Sequence, residues 1–189
     1  MGNGRKKLVI IGSSIIRNIE KVVGLNEVGS YKISMPGAGI KQIMEEAIKA
    51  AKRAEDNTII IIQGGSNSLK ALQPERTLWA IRDGVKEINR INNKIEVVVL
   101  SLVPRPREDH NFESMRSRTN QQLRNDIMKW NKEFGIRVTF VGMDRSFDRD
   151  CFIQDGVHLS FKGNGVIGRG IISVVHRHKG GGGAAISQN

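Results

Sequence analysis

The chain has 189 residues, 39% hydrophobic and 26% charged, with a single cysteine. That describes one ordinary globular domain, long enough to bury a core without staples; it excludes a disulfide-rich mini-protein, and no apolar run reaches membrane-spanning length. Thirty Lys and Arg against nineteen Asp and Glu leave a net charge of +11, which favours a polyanionic partner, nucleic acid or an anionic membrane surface.

The opening MGNGRKK has no apolar core of a secretion signal, and Lys6 stands where a myristoylation signal needs Ser or Thr. Residues 1–6 read as a flexible leader. KKLVIIG (6–12) is a short apolar run ending in Gly, a buried strand. SSIIRNIEKVVG places Ile15, Ile16, Ile19, Val22 and Val23 at helical spacing. YKISM is a second strand, broken by PGAG, and IKQIMEEAIKAAKRA is an amphipathic helix. NTIIIIQ is β-branched and central, followed by the loop GGSNS. QPERTLWAIRDGVKEINRI is a further helix, IEVVVLSLV a fourth strand, and PRPREDHN a polar loop. SMRSRTNQQLRNDIMKWNKEF is helical and ends at Gly135; IRVTFV is a fifth strand. FKGNGVIGRGIISVVHRH closes the domain as a Gly-containing helix, and residues 179–189 read as a disordered Gly-rich tail.

Five alternations of strand and helix predict an α/β domain over residues 7–178. It is a flavodoxin-like three-layer sandwich, a parallel five-stranded sheet of order 2-1-3-4-5 with helices on both faces. In such sheets the site lies beyond the carboxyl ends of the strands. Four small polar loops fall there: GSS (12–14), PGAG (36–39), GGSNS (64–68) and DGVH (155–158). Each has a plain structural explanation. Ser13 or Ser14 caps a helix, Pro36-Gly37 and Asp155-Gly156 make turns, and Asn67 lies in a flexible connection. Together, a Ser, an amide side chain and an Asp-His pair are the parts of an acyl-transfer site.

VIIGSSI, MPGAGI, QGGSNSL and DGVHLS resemble, in order, the four sequence blocks of the SGNH (GDSL-type) hydrolases. The resemblance spans about residues 7 to 175. It implies a serine esterase working through an acyl-enzyme on a small ester or acylated substrate, with no cofactor and no metal. By the same resemblance Ser14 is the nucleophile, Asp155 and His158 complete the triad, and Ser14, Gly37 and Asn67 supply the oxyanion hole. Two positions depart from the family pattern: Ser13 and Ser68 stand where the blocks usually carry Asp. The sequence is also similar in style to SGNH domains of animal retrotransposon open reading frames.

Other chemistry-bearing residues read as ordinary ones. His110 is a solvated loop residue, HRH (176–178) a frayed helix end, and Cys151 a lone thiol without a partner histidine. A single cysteine suits a reducing compartment, so the expected location is intracellular and cytoplasmic. The competing reading is a non-catalytic SGNH-fold module that binds RNA or anionic membranes through two basic clusters. One is Lys162, Arg169, Arg177 and Lys179; the other is Arg105, Arg107, Arg116 and Arg118.

Overall fold

The computed structural model describes residues 6–23, 29–71 and 73–179, with backbone alone for 177–179. The leader up to Arg5 and the tail from Gly180 lie outside the described residues, as do the side chains of Arg177, His178 and Lys179. Strands β1 (Lys7–Gly12), β2 (Tyr31–Ser34), β3 (Thr58–Gln63), β4 (Glu96–Leu100) and β5 (Val138–Val141) form one parallel sheet in the order β2-β1-β3-β4-β5. This is the expected topology.

Helices cover both faces, and strand alternation explains why. Ile60, Ile62, Val97 and Val99 point into one core with α2 (Ile40–Ala51), α4 (Pro74–Ile91) and α5 (His110–Phe134). Ile59, Ile61, Val98 and Leu100 point into the other, against Ile16, Ile19 and the last helix, α6 (Phe161–Lys179). Ile59 to Ile62 are almost completely buried on alternating faces. Each such side chain stabilises the fold by about 1.5–3 kcal/mol, so a central β-branched run is worth more than any surface ion pair.

Several element boundaries depart from the sequence reading. The first helix is broken: Ser14–Ile16 is a 3₁₀ turn, and only Glu20–Val23 (α1) is α-helical. The β-branched side chains of this segment lose rotamer freedom in a helix, and burial of Ile15, Ile16 and Ile19 holds the segment instead. GGSNS is not all loop, because Ser66–Ala71 forms α3. Helix α5 starts at His110, four residues early, because the Asp109 carboxylate accepts from the Phe112 N–H at 2.8 Å. His110 is therefore an exposed first-turn residue.

No described helix is long and apolar enough to cross a membrane.

Candidate active site

The loops at the carboxyl ends of the strands are tied to one another. Gly12 ends β1 and accepts from the Met35 N–H at 2.8 Å, joining the first loop to the second. The Ser13 N–H donates to Gln63 O at 3.2 Å, joining it to the third. The Ile40 N–H donates to Ser68 Oγ at 2.7 Å, fastening the start of α2 to the third loop. The Ser66 hydroxyl donates to Val103 O at 3.1 Å, reaching the loop after β4. Arg107, in that same loop, lies against Gly156; a Cβ there would come within 2.7 Å of Arg107 Cγ. The PRPRE loop thus touches both the third loop and DGVH.

Ser13 and Ser14 have different jobs. Ser13 is buried and caps the 3₁₀ turn: its hydroxyl donates to Gln63 Oε1 at 3.0 Å and accepts from the Ile15 N–H at 3.4 Å. Ser14 is half-buried, and among the described residues its hydroxyl has no hydrogen bond. Of the two, it is the serine whose hydroxyl is unengaged. It opens a turn of only three residues, so a helix macrodipole adds little here.

These loops carry three donors with hydrogen to spare. Neither the Ser14 N–H nor the Gly37 N–H has an acceptor among the described residues. Gly37 sits at φ 76°, in the left-handed region, and a Cβ on it would face open space. Asn67 Nδ2 donates one hydrogen to Ala38 O at 3.0 Å, next to Gly37, and keeps a second. Its Oδ1 accepts from Arg105, whose side chain is only 13% exposed. Since Arg can only donate, this bond fixes which end of the amide faces Ala38. Burial pushes the Arg105 guanidinium below its ordinary value, while Glu108 at 3.9 Å pulls it the other way.

The last loop builds the acid–base pair. Asp155 Oδ1 accepts from the N–H groups of Val157 (2.8 Å) and His158 (2.9 Å), and its Oδ2 lies 2.6 Å from His158 Nδ1. The imidazole hydrogen bond, then the two backbone donors, hold the Asp155 carboxyl down at about 2. An ionised acceptor there makes Nδ1 the protonated nitrogen of the neutral imidazole and leaves Nε2 as the basic one. A short clasp positions the loop: Phe152 bridges Leu159, the Ile153 N–H donates to His158 O, and the Ser160 N–H to Cys151 O. Gly156 takes φ 67° inside it.

The structure therefore brings Asp155 to His158 and Asn67 to the Gly37 loop. Among the described residues no hydrogen bond joins Ser14 Oγ to His158. A depression of about 790 Å³ borders this loop, lined by Pro104, Arg107, Phe147, Arg149, Phe152 and Gly156 among others. None of Ser14, Gly37, Asn67 or His158 lines it, so it adjoins the site without containing it.

The departures from the block pattern have local explanations. The Ser68 hydroxyl accepts a backbone N–H, and Ser13 links two loops, so each hydroxyl fills a positioning role. Arg105 and Gln63 were invisible as site residues. The signal for Arg105 was its place, between two prolines in the loop that follows β4. Cys151 is fully buried, and burial pushes its thiol up, away from the reactive thiolate. Among the described residues no cluster of three or more His, Cys, Asp or Glu is arranged as metal ligands. Of the HRH segment, only the His176 side chain is among the described residues.

No family model and no curated protein sequence matches the chain. Solved structures do. A GDSL-like lipase from Bacteroides thetaiotaomicron VPI-5482 is similar with a TM-score of 0.66 at 18% identity, over 92% of this chain and 89% of that one. A family 3 carbohydrate esterase from Clostridium thermocellum has a TM-score of 0.69 at 16% identity, over 92% and 98%. A member of the lipolytic G-D-S-L family from Veillonella parvula DSM 2008 has a TM-score of 0.71 at 13% identity, over 91% and 99%. The chain has the fold of the GDSL hydrolases.

Proposed function

We propose that this chain is a serine acyl-ester hydrolase of the SGNH type, with Ser14, His158 and Asp155 as its triad. The observation that carries the reading is the 2.6 Å contact between Asp155 Oδ2 and His158 Nδ1. It orients an imidazole with a free Nε2; the unengaged Ser14 hydroxyl, following β1 at the carboxyl end of the sheet, supports the same reading.

The steps follow from those groups. Ser14 Oγ attacks the acyl carbon while His158 Nε2 takes its proton. The carbonyl electron pair moves onto oxygen, where the N–H groups of Ser14 and Gly37 and the second Asn67 Nδ2 hydrogen stabilise it. Collapse expels the alcohol, which receives the proton from His158 and leaves an acyl-Ser14. Water, deprotonated by the same Nε2, then releases the acid and restores the hydroxyl. Asp155 stays ionised throughout and stabilises the imidazolium. The alcohol and acyl groups of the substrate class are those of small esters.

Labelling with a fluorophosphonate tests the reading. Wild type forms a covalent adduct that peptide mapping places on Ser14, and Ser14→Ala forms none. An adduct on Ser13, or turnover of p-nitrophenyl acetate at the wild-type rate by Ser14→Ala, overturns it.

A further inference from the structure

Part of the two basic clusters suggested by the sequence is spent inside the fold, while Arg107, Arg118, Lys162 and Arg169 remain exposed. Arg116 is 3% exposed and binds Glu113, Asp144 and Leu102 O. Arg105 holds Asn67, Arg107 packs on Gly156, and Lys162 pairs with Asp148 at 2.5 Å. Arg177 and Lys179 have no described side chains. Exposed cations on other elements carry the charge outward as well.

One group of them lies along α5. Helical spacing puts Arg118, Gln121, Arg124, Asn125, Lys129 and Lys132 on one side of this helix, and all six are exposed. Beside them the loop after the edge strand β5 brings Arg145 and Ser146. Ser117, Gln121, Arg124, Asn125, Arg145 and Ser146 line one open depression of about 660 Å³. Its single acid, Asp144, is already engaged by Arg116 and the Asn120 amide, each at 2.6 Å. Among the described residues no ion pair occupies Arg118, Arg124, Lys129, Lys132 or Arg145; Arg124 only stacks on Phe140, 5.5 Å from the ring centre. The nearest acids on α5, Asp126 and Glu133, lie past Lys129 on the far side of the stripe.

We infer that this face, α5 with the β5 loop, binds a nucleic-acid phosphodiester backbone. Guanidinium groups alternating with hydroxyl and amide side chains are the set that grips phosphate and sugar. From Ser117 to Lys132 the helix rises about 23 Å, enough to face several phosphates. No exposed aromatic side chain lies on the stripe, so bases are not stacked and sequence is not read. A membrane surface fits less well. Met128 and, at the helix end, Phe134 are the large exposed apolar side chains of α5, and an interfacial helix needs a whole apolar face.

The test compares wild type, Arg124→Glu/Arg145→Glu, the control Lys52→Glu/Arg53→Glu and Ser14→Ala, each confirmed folded by circular dichroism. The control changes the net charge equally, on exposed residues at the end of α2. Binding to a labelled mixed-sequence RNA is titrated from about 50 to about 200 mM salt, alongside phosphatidylserine vesicles. Expected are RNA binding by wild type, a loss of about tenfold or more in Arg124→Glu/Arg145→Glu, and a salt slope lower by about 2. The control loses much less, and Ser14→Ala binds like wild type, since binding is independent of the esterase reading. Equal losses in both double variants would make the charge a diffuse field and overturn the assignment. Absence of RNA binding by wild type overturns it too. A reversal that weakens vesicle binding and spares RNA gives the face to membranes instead.

Discussion

Arg105 donates to Asn67 Oδ1, and Asn67 Nδ2 donates in turn to Ala38 O at 3.0 Å. A nearly buried guanidinium thus sets the direction of the amide proposed to hold the oxyanion, and polarises it in that direction. Arg105 is a positioning residue, because it acts through Asn67. Arg105→Met should lower kcat about tenfold or more and change KM little, while Arg105→Lys recovers part of the loss. Asn67→Ala should cost about a hundredfold in kcat, and the double variant little beyond that. Steady-state kinetics on p-nitrophenyl acetate decide it: losses that multiply would separate the two residues, and a pure KM effect would make Arg105 a substrate contact.

Adjacent serines should behave oppositely. Ser14→Ala should lower kcat by several orders of magnitude at unchanged melting temperature, since its hydroxyl holds nothing in place. Ser13→Ala removes a cap and a buried bond to Gln63, and should cost about 1–2 kcal/mol of stability while keeping the nucleophile. Thermal melts and fluorophosphonate labelling on the same samples check both halves. A destabilised Ser14→Ala with normal labelling would reverse the roles.

The Ser68 hydroxyl accepts from the buried Ile40 N–H at 2.7 Å. Ser68→Ala strands that donor and should cost about 1–3 kcal/mol. It should also loosen the Gly37 loop, so kcat falls along with stability. Urea unfolding and kinetics on the same variant measure the two. An unchanged midpoint would mean that water replaces the hydroxyl.

How legible the fold was depended on what the residues had to do. NTIIIIQ could only be a central strand, because six buried positions in a row leave no polar face. The strand order followed from alternation and right-handed crossovers. The first helix misled, because helical spacing of Ile15, Ile16 and Ile19 is also what a buried 3₁₀ turn and loop require. The Asp155–His158 pairing was readable because a three-residue spacing lets one turn hold both side chains. Arg105 and Arg116 were not, since a charge inside a basic loop looks like surface until its partners, distant in sequence, are seen.

Asp155 and His158 should act as a unit, with a pH signature that separates their contributions. The carboxyl sits at about 2 against an ordinary 3.8, held down first by the imidazole and then by two backbone N–H groups. A depressed carboxylate contributes stability that is fully present above its ordinary value. The contribution fades as pH falls from about 4 towards about 2, because the unfolded chain takes up the proton first. The melting temperature of Asp155→Asn should therefore lie below wild type at pH about 5 and converge on it at about 2. A margin that persists in acid would assign the difference to packing. In catalysis the carboxylate is ionised over the whole working range, so it cannot produce an acid limb. Any rise of kcat/KM between pH about 5 and 8 belongs to an imidazole losing its proton. His158→Ala should abolish that rise together with about a thousandfold or more of kcat, and Asp155→Asn should cost nearly as much. The double variant should lose little further, since neither group works without the other. A wild-type profile flat across that range would remove His158 as the base, and with it the triad.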